Sequence, residues 1–572
     1  MILNALYDYY HRCDDLPRKG MELKEIGFLI VIDKEGHFLR FEDRRKDKKQ
    51  AQTFLVKKHV GRTSAVVANY LYDNSGYVFG YSDKGDVMPQ YQAFKDKIKA
   101  IYQLHPQDEE IIAVNSFYAQ EQQDVLAQMK QDPLWSDIER NLNKKYSTFS
   151  FLIEGNTKIV AEKVELLDIE ESEFSNDGQI CLVSGNRGKA VETTTATMIP
   201  GSQATAKLVA FQVSSGYDSY GKTKGGNAPI SEDAEFAYTT ALNHLLEPNS
   251  RNKFMVGSRT FLFWASKNDA AGKEAEESIF NMFGFSEQED DPNRNIEQVR
   301  KVFTAIYSGE LKTTSEDKFY ILGLAPNSAR IAVVYWAELP LKEFAGTICK
   351  HFEDMEVIDT RQDKKPYMSL RNILSTVTLG GKVSDATPNL PDAVVKSIFQ
   401  GLPYPQTLFA SCIRRIRAES GDKDKNAVHI TRAAIIKAYL NRIDKNQKIN
   451  VMLDKDNTNQ GYLCGRLFAV LDKIQEEANN QHSIRERYMN SASSTPAAVF
   501  STILNLSNHH VENLKNEGRK IYFEKLKQEI ISKIEADGFK AQLDLQDQGR
   551  FFIGYYHQRQ DFFLKNEESN NE

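Results

Sequence analysis

The sequence predicts an α+β N-terminal region with mixed and antiparallel sheets, followed by an all-α helical C-terminal region. Apolar runs rich in β-branched and aromatic residues, which are typical of strands, occur only before about residue 340. After that point, apolar residues recur at helical spacing. The chain has 572 residues, 41% hydrophobic and 27% charged, which fits two to four globular domains.

The predicted fold divides into three regions. The first, 1–340, holds every predicted strand, and the second, 341–451, is helical and rich in basic residues. A polar linker precedes the third region, 452–572, where apolar spacing predicts a bundle of amphipathic helices.

Before residue 200, predicted helices and strands alternate. Apolar spacing and proline positions set their limits. The predicted elements are a helix at 1–13, a hairpin of strands at 28–33 and 38–43, helices across 88–142 interrupted at Pro106 and Pro133, and strands at 149–153 and 180–183.

The segment 206–246 organises the rest of the chain. Its first part, 206–213, is apolar and β-branched and predicts a strand. Its last part predicts a helix with Ser231 as N-cap and acids in the first turn, where the helix dipole favours negative charge. The apolar positions of this helix are Ala234, Ala237, Ala241, Leu242 and Leu245.

Between these parts lies the glycine loop, residues 216–231. Glycine lets backbone N–H groups approach a phosphate closely, lysine supplies positive charge, and tyrosine can stack on a base. This composition predicts contact with a phosphate-bearing ligand, and an ordinary surface loop is the alternative. The residues concerned are Gly216, Gly221, Gly225, Gly226, Tyr217, Tyr220, Lys222, Lys224 and Asn227.

The glycine loop also contains the Walker A pattern, at 216–223. A P-loop requires a helix that begins at its Lys-Thr pair, so that helix N–H groups face the phosphates. Gly225, Gly226 and Pro229 follow instead and disfavour the first turns of a helix. A nucleotide-dependent enzyme is therefore the alternative function, not the favoured one.

Two further stretches combine features of nucleic-acid surfaces. Residues 57–81 interleave basic and amide side chains with four tyrosines, although a tyrosine-rich sheet face would look the same. Residues 404–450 hold ten Lys or Arg and four acids, whereas the whole chain has a net charge of −6. This excess predicts a basic patch, with a solvated helix face as the alternative.

Apolar spacing and turn residues also predict the strands and helices after residue 246. Residues 269–296 are acidic and polar and predict an exposed insertion with two short helices. The predicted strands are 259–265, 319–324 and 330–339, with a turn at 325–328 before the last strand. The predicted helices after residue 340 are 341–351, 365–379, 392–399, 405–419, 461–478, 483–492, 496–504, 511–536 and 550–564.

The chain lacks the usual sequence features of several functional classes. No zincin, α/β-hydrolase or His-Asp phosphohydrolase motif occurs, so no catalytic residue, metal or cofactor is expected. The longest apolar run, 26–32, is too short to cross a membrane. Five scattered cysteines without a C-x-x-C pair indicate a reducing, cytoplasmic location.

Five long segments together resemble one family, the large subunit of the subtype I-C CRISPR Cascade complex. The resemblance covers residues 1 to at least 440. The segments are MILNALYDYY, KEIGFLIVIDKEGHFLRFED, GRTSAVVANYLYDNSGYVFGY, SYGKTKGGNAPISEDAEFAYTTALNHLL and LGLAPNSARIAVVYW.

This resemblance implies a non-enzymatic DNA-binding subunit of an RNA-guided ribonucleoprotein complex. Such a subunit reads the protospacer-adjacent motif (PAM) in double-stranded target DNA, promotes duplex opening and R-loop formation, and helps recruit a helicase-nuclease. Its other implied partners are the crRNA and the backbone, crRNA-processing and small subunits. Base pairing with the guide reads the remaining sequence. A protein scaffold without DNA contact is a further alternative.

The residues and the resemblance together give a set of expected DNA contacts. Amide and guanidinium groups can read base edges, so Arg62, Asn69, Asn74 and Asn227 are the candidates for PAM recognition. The full set is Lys57, Lys58, Arg62, Asn69, Asn74, Tyr220, Lys222, Lys224, Asn227, Arg414, Arg415 and Arg417.

The family resemblance also implies a small subunit similar to the end of the large one and translated from an internal start. Met452 fits such a start, because it lies in a linker before a predicted helix. Met489 lies inside a predicted helix, and a start at Met368 would include much of the preceding helical region. The product would be a small bundle that offers basic residues to displaced DNA. Those residues are Arg485, Arg487, Arg519 and Lys520.

Overall fold

A computed structural model gives the fold. It describes residues 1–13, 15–47, 50–60, 66–83, 85–144, 146–163, 178–211, 218, 220–283, 292–361, 369–387, 389–422, 425–479 and 483–569. Contacts group the chain into a larger unit of Met1–Arg12, Thr194–Phe211 and Leu242–Glu572, and a smaller unit of Cys13–Thr193 and Gln212–Ala241.

Strands are confined to the first 340 residues of the described chain, as predicted. They are β1 (Met21–Ile26), β2 (Phe28–Ile32), β3 (Phe38–Asp43), β4 (Gln52–Lys57), β5 (Tyr72–Asp73), β6 (Phe149–Ile153), β7 (Gln179–Ile180), β8 (Arg187–Gly188), β9 (Lys253–Val256), β10 (Arg259–Ala265), β11 (Lys318–Asn327) and β12 (Arg330–Pro340).

Helices occur throughout and dominate after residue 340. They are α1 (Ile2–Arg12), α2 (Ser75–Val78), α3 (Met88–Leu104), α4 (Glu109–Ala119), α5 (Gln122–Met129), α6 (Trp135–Asn141), α7 (Glu232–Leu246), α8 (Ala270–Phe283), α9 (Pro292–Ser308), α10 (Leu341–Met355), α11 (Leu370–Ser375), α12 (Leu390–Gln400), α13 (Gln406–Glu419), α14 (Ile430–Ile443), α15 (Gln460–Asn479), α16 (Ser483–Ala492), α17 (Pro496–Glu512), α18 (Glu517–Ile531) and α19 (Leu545–Ser569). The predicted fold class, α+β followed by all-α, is confirmed.

The smaller unit is built on a mixed four-stranded sheet in the order β3-β2-β6-β5. β2 pairs parallel to β6, whereas the other pairs are antiparallel. All five residues of β2 and of β6 are buried, which explains why β2 is continuously apolar. The one polar residue of β6, Ser150, donates its hydroxyl to the carbonyl of Leu71 at 2.9 Å. Phe149 stacks on Phe28 with ring centroids 5.5 Å apart, and Phe79 meets Phe149 edge-on. β1 and β4 form a separate antiparallel pair.

The larger unit contains an antiparallel sheet, β12-β11-β10-β9, followed by helices. Phe254 on β9 stacks on Phe261 and on Phe283 of α8, and Phe319 on β11 stacks on Phe344 of α10 at 4.6 Å. One hydrophobic core continues from this sheet through the C-terminal helices. For this reason neither unit ends at residue 340 or 451, where the three predicted regions meet.

The helices α15 and α19 form the centre of the C-terminal part. A Cβ atom on Gly465 would lie 1.9 Å from the carbonyl oxygen of Phe551, and one on Gly554 would lie 2.3 Å from that of Tyr462. Glycine is therefore required at both positions for the two backbones to approach this closely.

Four predicted elements are wrong. The strand predicted at 180–183 is limited to β7, and residues 182–184 form a turn. Residues 206–211 form only an isolated bridge, from Lys207 to Arg330, and the described part of this segment buries only Ala206, so nothing pairs with it as a strand. The described part of the segment 269–296 is not an exposed insertion, because α8 buries an apolar face in the core. The turn predicted at 325–328 is shorter, because β11 continues to Asn327 and only the residues after it turn.

Candidate nucleic-acid interface

The glycine loop lies beside the β7–β8 hairpin in the smaller unit. Together they enclose a cleft of about 570 Å³, which we call the loop cleft. Its lining comes from both chain segments and is formed by Gly178, Gln179, Gly188, Lys189, Ala190, Val191, Glu192, Lys222, Thr223 and Gly226.

Close backbone contact holds the loop on the segment that follows the hairpin. The Gly225 N–H donates to the carbonyl of Glu192 at 3.2 Å. A Cβ on Gly225 would lie 1.8 Å from the carbonyl oxygen of Val191, so any side chain there would displace the loop. By contrast, a Cβ on Gly226 would be 3.7 Å from its nearest neighbour, the Lys222 side chain.

Polar side chains complete this bracing. Lys224 Nζ lies 2.8 Å from Glu192 Oε2, and this ion pair lowers the pKa of the exposed Glu192 carboxyl. Asn227 Nδ2 donates to the carbonyl of Lys222 at 3.0 Å and to Asp218 Oδ1 at 3.2 Å. Lys224 and Asn227, both predicted as DNA contacts, therefore also position the loop.

Tyr220 and Lys222 are the two predicted DNA contacts of the loop that are exposed. Tyr220 is 100% exposed. Its φ of 52° lies in the left-handed region, which is typical of a tight turn. Lys222 is exposed at the edge of the loop cleft, and Lys189 lies across it with Nζ 3.3 Å from Glu232. An aromatic ring and a cation thus face solvent from a braced loop.

The start of α7 is tied to the same hairpin through Cys181. Its Sγ accepts the N–H of Ser231 at 3.3 Å, while Ser231 Oγ accepts the N–H of Ala234 as the predicted N-cap. Burial raises the pKa of Cys181, but hydrogen bonds from Ser184 and Ser231 lower it to about 7. Sequence analysis did not identify Cys181 or Glu192 as part of this site, because no motif connects them to the loop.

The backbone after the Walker-like lysine is not α-helical. Residues Lys224–Asn227 form a short 3-10 turn, and α7 begins only at Glu232. The expectation that the helix begins too late for a P-loop is confirmed. Gly216 lies outside the described residues.

Three of the four tyrosines of the 57–81 stretch belong to the core, and the fourth, Tyr81, is half-buried. Tyr70, Tyr72 and Tyr77 are all buried, so the sheet-face interpretation fits them better than a stacking surface. Lys57 lies over the ring of Tyr70, with Nζ 4.8 Å from the centroid, while Lys58 is exposed.

The predicted base-reading residues of this stretch have different environments. Asn69 is buried, and its Oδ1 accepts the N–H of Val60 at 2.9 Å. Asn74 is exposed, and its Oδ1 caps α2 by accepting the N–H of Gly76 at 3.0 Å. Arg62 lies outside the described residues.

The basic stretch at 404–450 is only partly a surface. Arg414 and Arg417 are exposed on α13, whereas Arg415 pairs with Glu419. Three other basic residues, which the predicted patch included, point inward because buried acceptors hold them. They are Arg432, Lys437 and Arg442.

The C-terminal basic residues are also partly paired. Arg519 Nε lies 2.9 Å from Glu477, and Lys520 lies 2.6 Å from Glu517. Arg487 is exposed, and Arg485 is half-buried.

Comparison with known proteins identifies one family. A family model described as "CRISPR-associated protein (Cas_Csd1)" matches residues 6–563. No curated protein matches the chain. Across the described ranges, no helix is long and apolar enough to span a membrane, and no group of three His, Cys, Asp or Glu residues could hold a metal ion.

Proposed function

The chain belongs to the CRISPR-associated Cas_Csd1 family, and we propose that it is the large subunit of a type I-C Cascade complex. In this role it binds double-stranded DNA, recognises the PAM, promotes duplex opening and R-loop formation, and helps recruit the helicase-nuclease. It acts in the cytoplasm with the crRNA and the other Cascade subunits, and it has no catalytic activity of its own.

The observation that carries this proposal is the braced glycine loop with Tyr220 and Lys222 exposed. A lysine next to a phosphate releases counterions, and an aromatic ring stacks on any base that leaves the duplex. Because the loop is fixed on the 191–192 backbone, these two side chains are presented without a large ordering cost. Such an arrangement suits a subunit that holds one strand while the duplex opens.

Among the proposed PAM-reading residues, Asn74 is the most accessible of those described. Its Oδ1 is used by the α2 cap, but the side chain is exposed, so its Nδ2 donor faces solvent. Donors of this kind read acceptors on base edges in either groove. Asn69 and Asn227 hold loop backbone instead, so their substitution would alter binding through loop position.

Salt-dependent binding of a PAM duplex by the assembled complex tests the proposal. Each lysine–phosphate contact contributes about 0.9 to the slope of log K against log salt, so Lys222→Ala should flatten the slope by about one and the double variant with Lys224→Ala by up to about two. The Tyr220→Ala variant should impair strand opening. Lys99→Ala, which removes an exposed lysine from α3, is the matched control.

Two outcomes separate the alternatives. A slope and affinity that stay unchanged in the double variant would support a scaffold without DNA contact by this loop. ATP turnover that requires Lys222 would support the nucleotide-dependent enzyme, whereas the late start of α7 leads us to expect none.

A further inference from the structure

A second recess lies in the larger unit and shares Arg415, Glu419 and Arg432 with the basic stretch at 404–450. It has a volume of about 630 Å³ and lies among α11, the turn at 379–381, the end of α13 and the start of α14. We call it the helical recess. Its volume falls within the range of about 300–1,000 Å³ that small-molecule sites occupy.

The lining carries more positive than negative charge. Three cations, Arg415, Lys425 and Arg432, line it together with one carboxylate, Glu419. Glu419 pairs with both arginines, at 2.6 Å from Arg432 Nη1. Burial alone would raise the pKa of Glu419, but hydrogen bonds from Arg432 and Arg415 lower it to about 2, so the carboxylate stays charged.

Arg432 and Arg415 have different roles in this cluster. Arg432 is 4% exposed, and its remaining donors bond to the carbonyl of Thr376 at 3.1–3.2 Å and of Ala427 at 2.8 Å. Arg415 has one donor on Glu419, while its Nε is buried without a hydrogen-bond partner among the described residues. A buried guanidinium donor without a partner is rare in folded proteins.

Neutral donors surround these charges. Thr376 Oγ1 lies 2.9 Å from His429 Nε2. Burial and the nearby Arg432 lower the pKa of His429 to about 4, so this imidazole is neutral near pH 7. Ser375, Thr378 and Thr431 also line the recess, and the hydroxyls of Ser375 and Thr378 donate to the backbone carbonyls of Asn372 and Ser375.

Two successive glycines form part of the rim. Gly380 and Gly381 have φ values of 73° and 72°, a conformation that disfavours side chains, although a Cβ on either would meet no atom within 4 Å. The backbone turn, not lack of space, therefore requires glycine here. This side of the recess consequently stays open to an entering ligand.

We propose that the helical recess binds a phosphate ester, with Arg415 and Lys425 as its charged partners. Arginine forms paired hydrogen bonds with phosphate oxygens, and Glu419 holds the two arginines in place. The phosphate is that of a free nucleotide or of a nucleic-acid strand, since both present the same group. The proposal does not depend on the glycine loop and can be tested on the isolated chain.

Calorimetry and thermal unfolding with inorganic phosphate, AMP and a single-stranded oligonucleotide test this site. Arg415→Gln should weaken binding by roughly tenfold or more, because a charged hydrogen bond is lost. Lys425→Gln should weaken it less, because Lys425 also pairs with the exposed Asp422 at 3.0 Å. Lys342→Gln, which removes an exposed lysine of α10 that does not line the recess, should leave binding unchanged.

The outcomes are distinct. AMP binding that depends on Arg415 identifies a nucleotide site, and oligonucleotide binding alone with the same dependence identifies a strand phosphate. If none of the probes binds at about 10 mM, well above the range of specific sites, the proposal is overturned. Equal loss in the Lys342→Gln control also overturns it. Arg415→Lys keeps the positive charge at this position. If it retains part of the binding, the loss in Arg415→Gln is due to the missing charge and not to unfolding.

Discussion

Lys222 and Lys224 are separated by one residue but have different surroundings. Lys222 is exposed, whereas Lys224 is held 2.8 Å from Glu192. A phosphate that approaches Lys224 must therefore compete with a carboxylate. At the residue scale, the count of lysines in the loop overstates the charge that is available to DNA.

Removing the Glu192 carboxylate should release Lys224 for DNA. In Glu192→Gln, we expect tighter duplex binding and a salt slope steeper by up to about one, because Lys224 then meets a phosphate without competition from a carboxylate. Salt titration of the assembled complex measures this. Glu109→Gln removes an exposed acid on α4 and serves as the control. An unaltered slope would mean that Lys224 never reaches DNA.

Two buried histidines should make the fold sensitive to acid. Burial lowers the pKa of His429 to about 4 and that of His557 to about 3, with further contributions from Arg432 and Lys437 respectively. The unfolded chain binds these protons near pH 6.5, so their stabilising contribution is full above that pH and decreases as pH falls toward 4. The loss is roughly 1.4 kcal/mol per pH unit for each histidine.

Denaturant unfolding at pH 7 and pH 5 checks this. His557→Gln should reduce the pH dependence of the free energy of unfolding, because His557 is 1% exposed and bonded to Tyr462 at 3.0 Å. His509→Gln changes a histidine whose side chain is 79% exposed and should have no such effect. Equal pH dependence in both variants would contradict the assignment.

Some single-residue features were predictable from sequence and others were not. Ser231 was predicted as an N-cap because capping depends on local sequence alone. The partner of Lys224 was not predictable, because Glu192 is 32 residues away and no motif connects them. Likewise, the inward position of Arg432 depends on Glu419 and on the fold around both.

At the scale of elements, periodic sequence was a reliable guide. Most helices after residue 340 and the β2–β3 hairpin follow the predicted pattern, because their apolar faces repeat over several turns or alternate residues. No helix was predicted over α14, where every residue from Ile430 to Leu440 is buried and a single apolar face is therefore missing. The strand prediction was wrong for the described residues 206–211, because a short apolar run does not indicate whether a neighbouring strand exists. The prediction of an exposed insertion at 269–296 was wrong for α8, because the acidic residues drew attention away from the apolar residues that form its buried face.

The glycine loop offers a test at this scale. Gly225→Ala should weaken duplex binding by roughly tenfold or more without abolishing folding, because a methyl group would lie 1.8 Å from the Val191 carbonyl and displace the loop. Gly226→Ala is the matched control, since its Cβ would meet no atom closer than 3.7 Å. Equal affinity in the two variants would show that loop position does not matter.

At the scale of the whole molecule, the C-terminal helices share the larger core. A Cβ on Gly549 of α19 would meet the ring of Phe409 at 2.6 Å, and Arg550 pairs with Asp444 at 3.0 Å. Met452 is 57% exposed and lies between α14 and α15, so a start there cuts no helix. The resulting fragment would expose a face of α19 that α13 and α14 cover in the full chain.

The internal start remains our prediction for the complex. Mass spectrometry of an assembly expressed from the native gene should show a fragment that begins at Met452. A fragment from Met489 would lack α15, against which α19 packs, and is not expected. The idea fails if the Met452 fragment is absent, or if silent changes upstream of its codon leave the mass of the assembly unaltered.

The glycine contacts between α15 and α19 have a consequence for chain cleavage. Because Gly465 and Gly554 bring the two backbones together, no side-chain rearrangement can loosen the helices gradually. A protease that cuts between them would produce two pieces that remain bound and behave as one particle in gel filtration. Separation on a denaturing gel would then be the first sign that the chain had been cut.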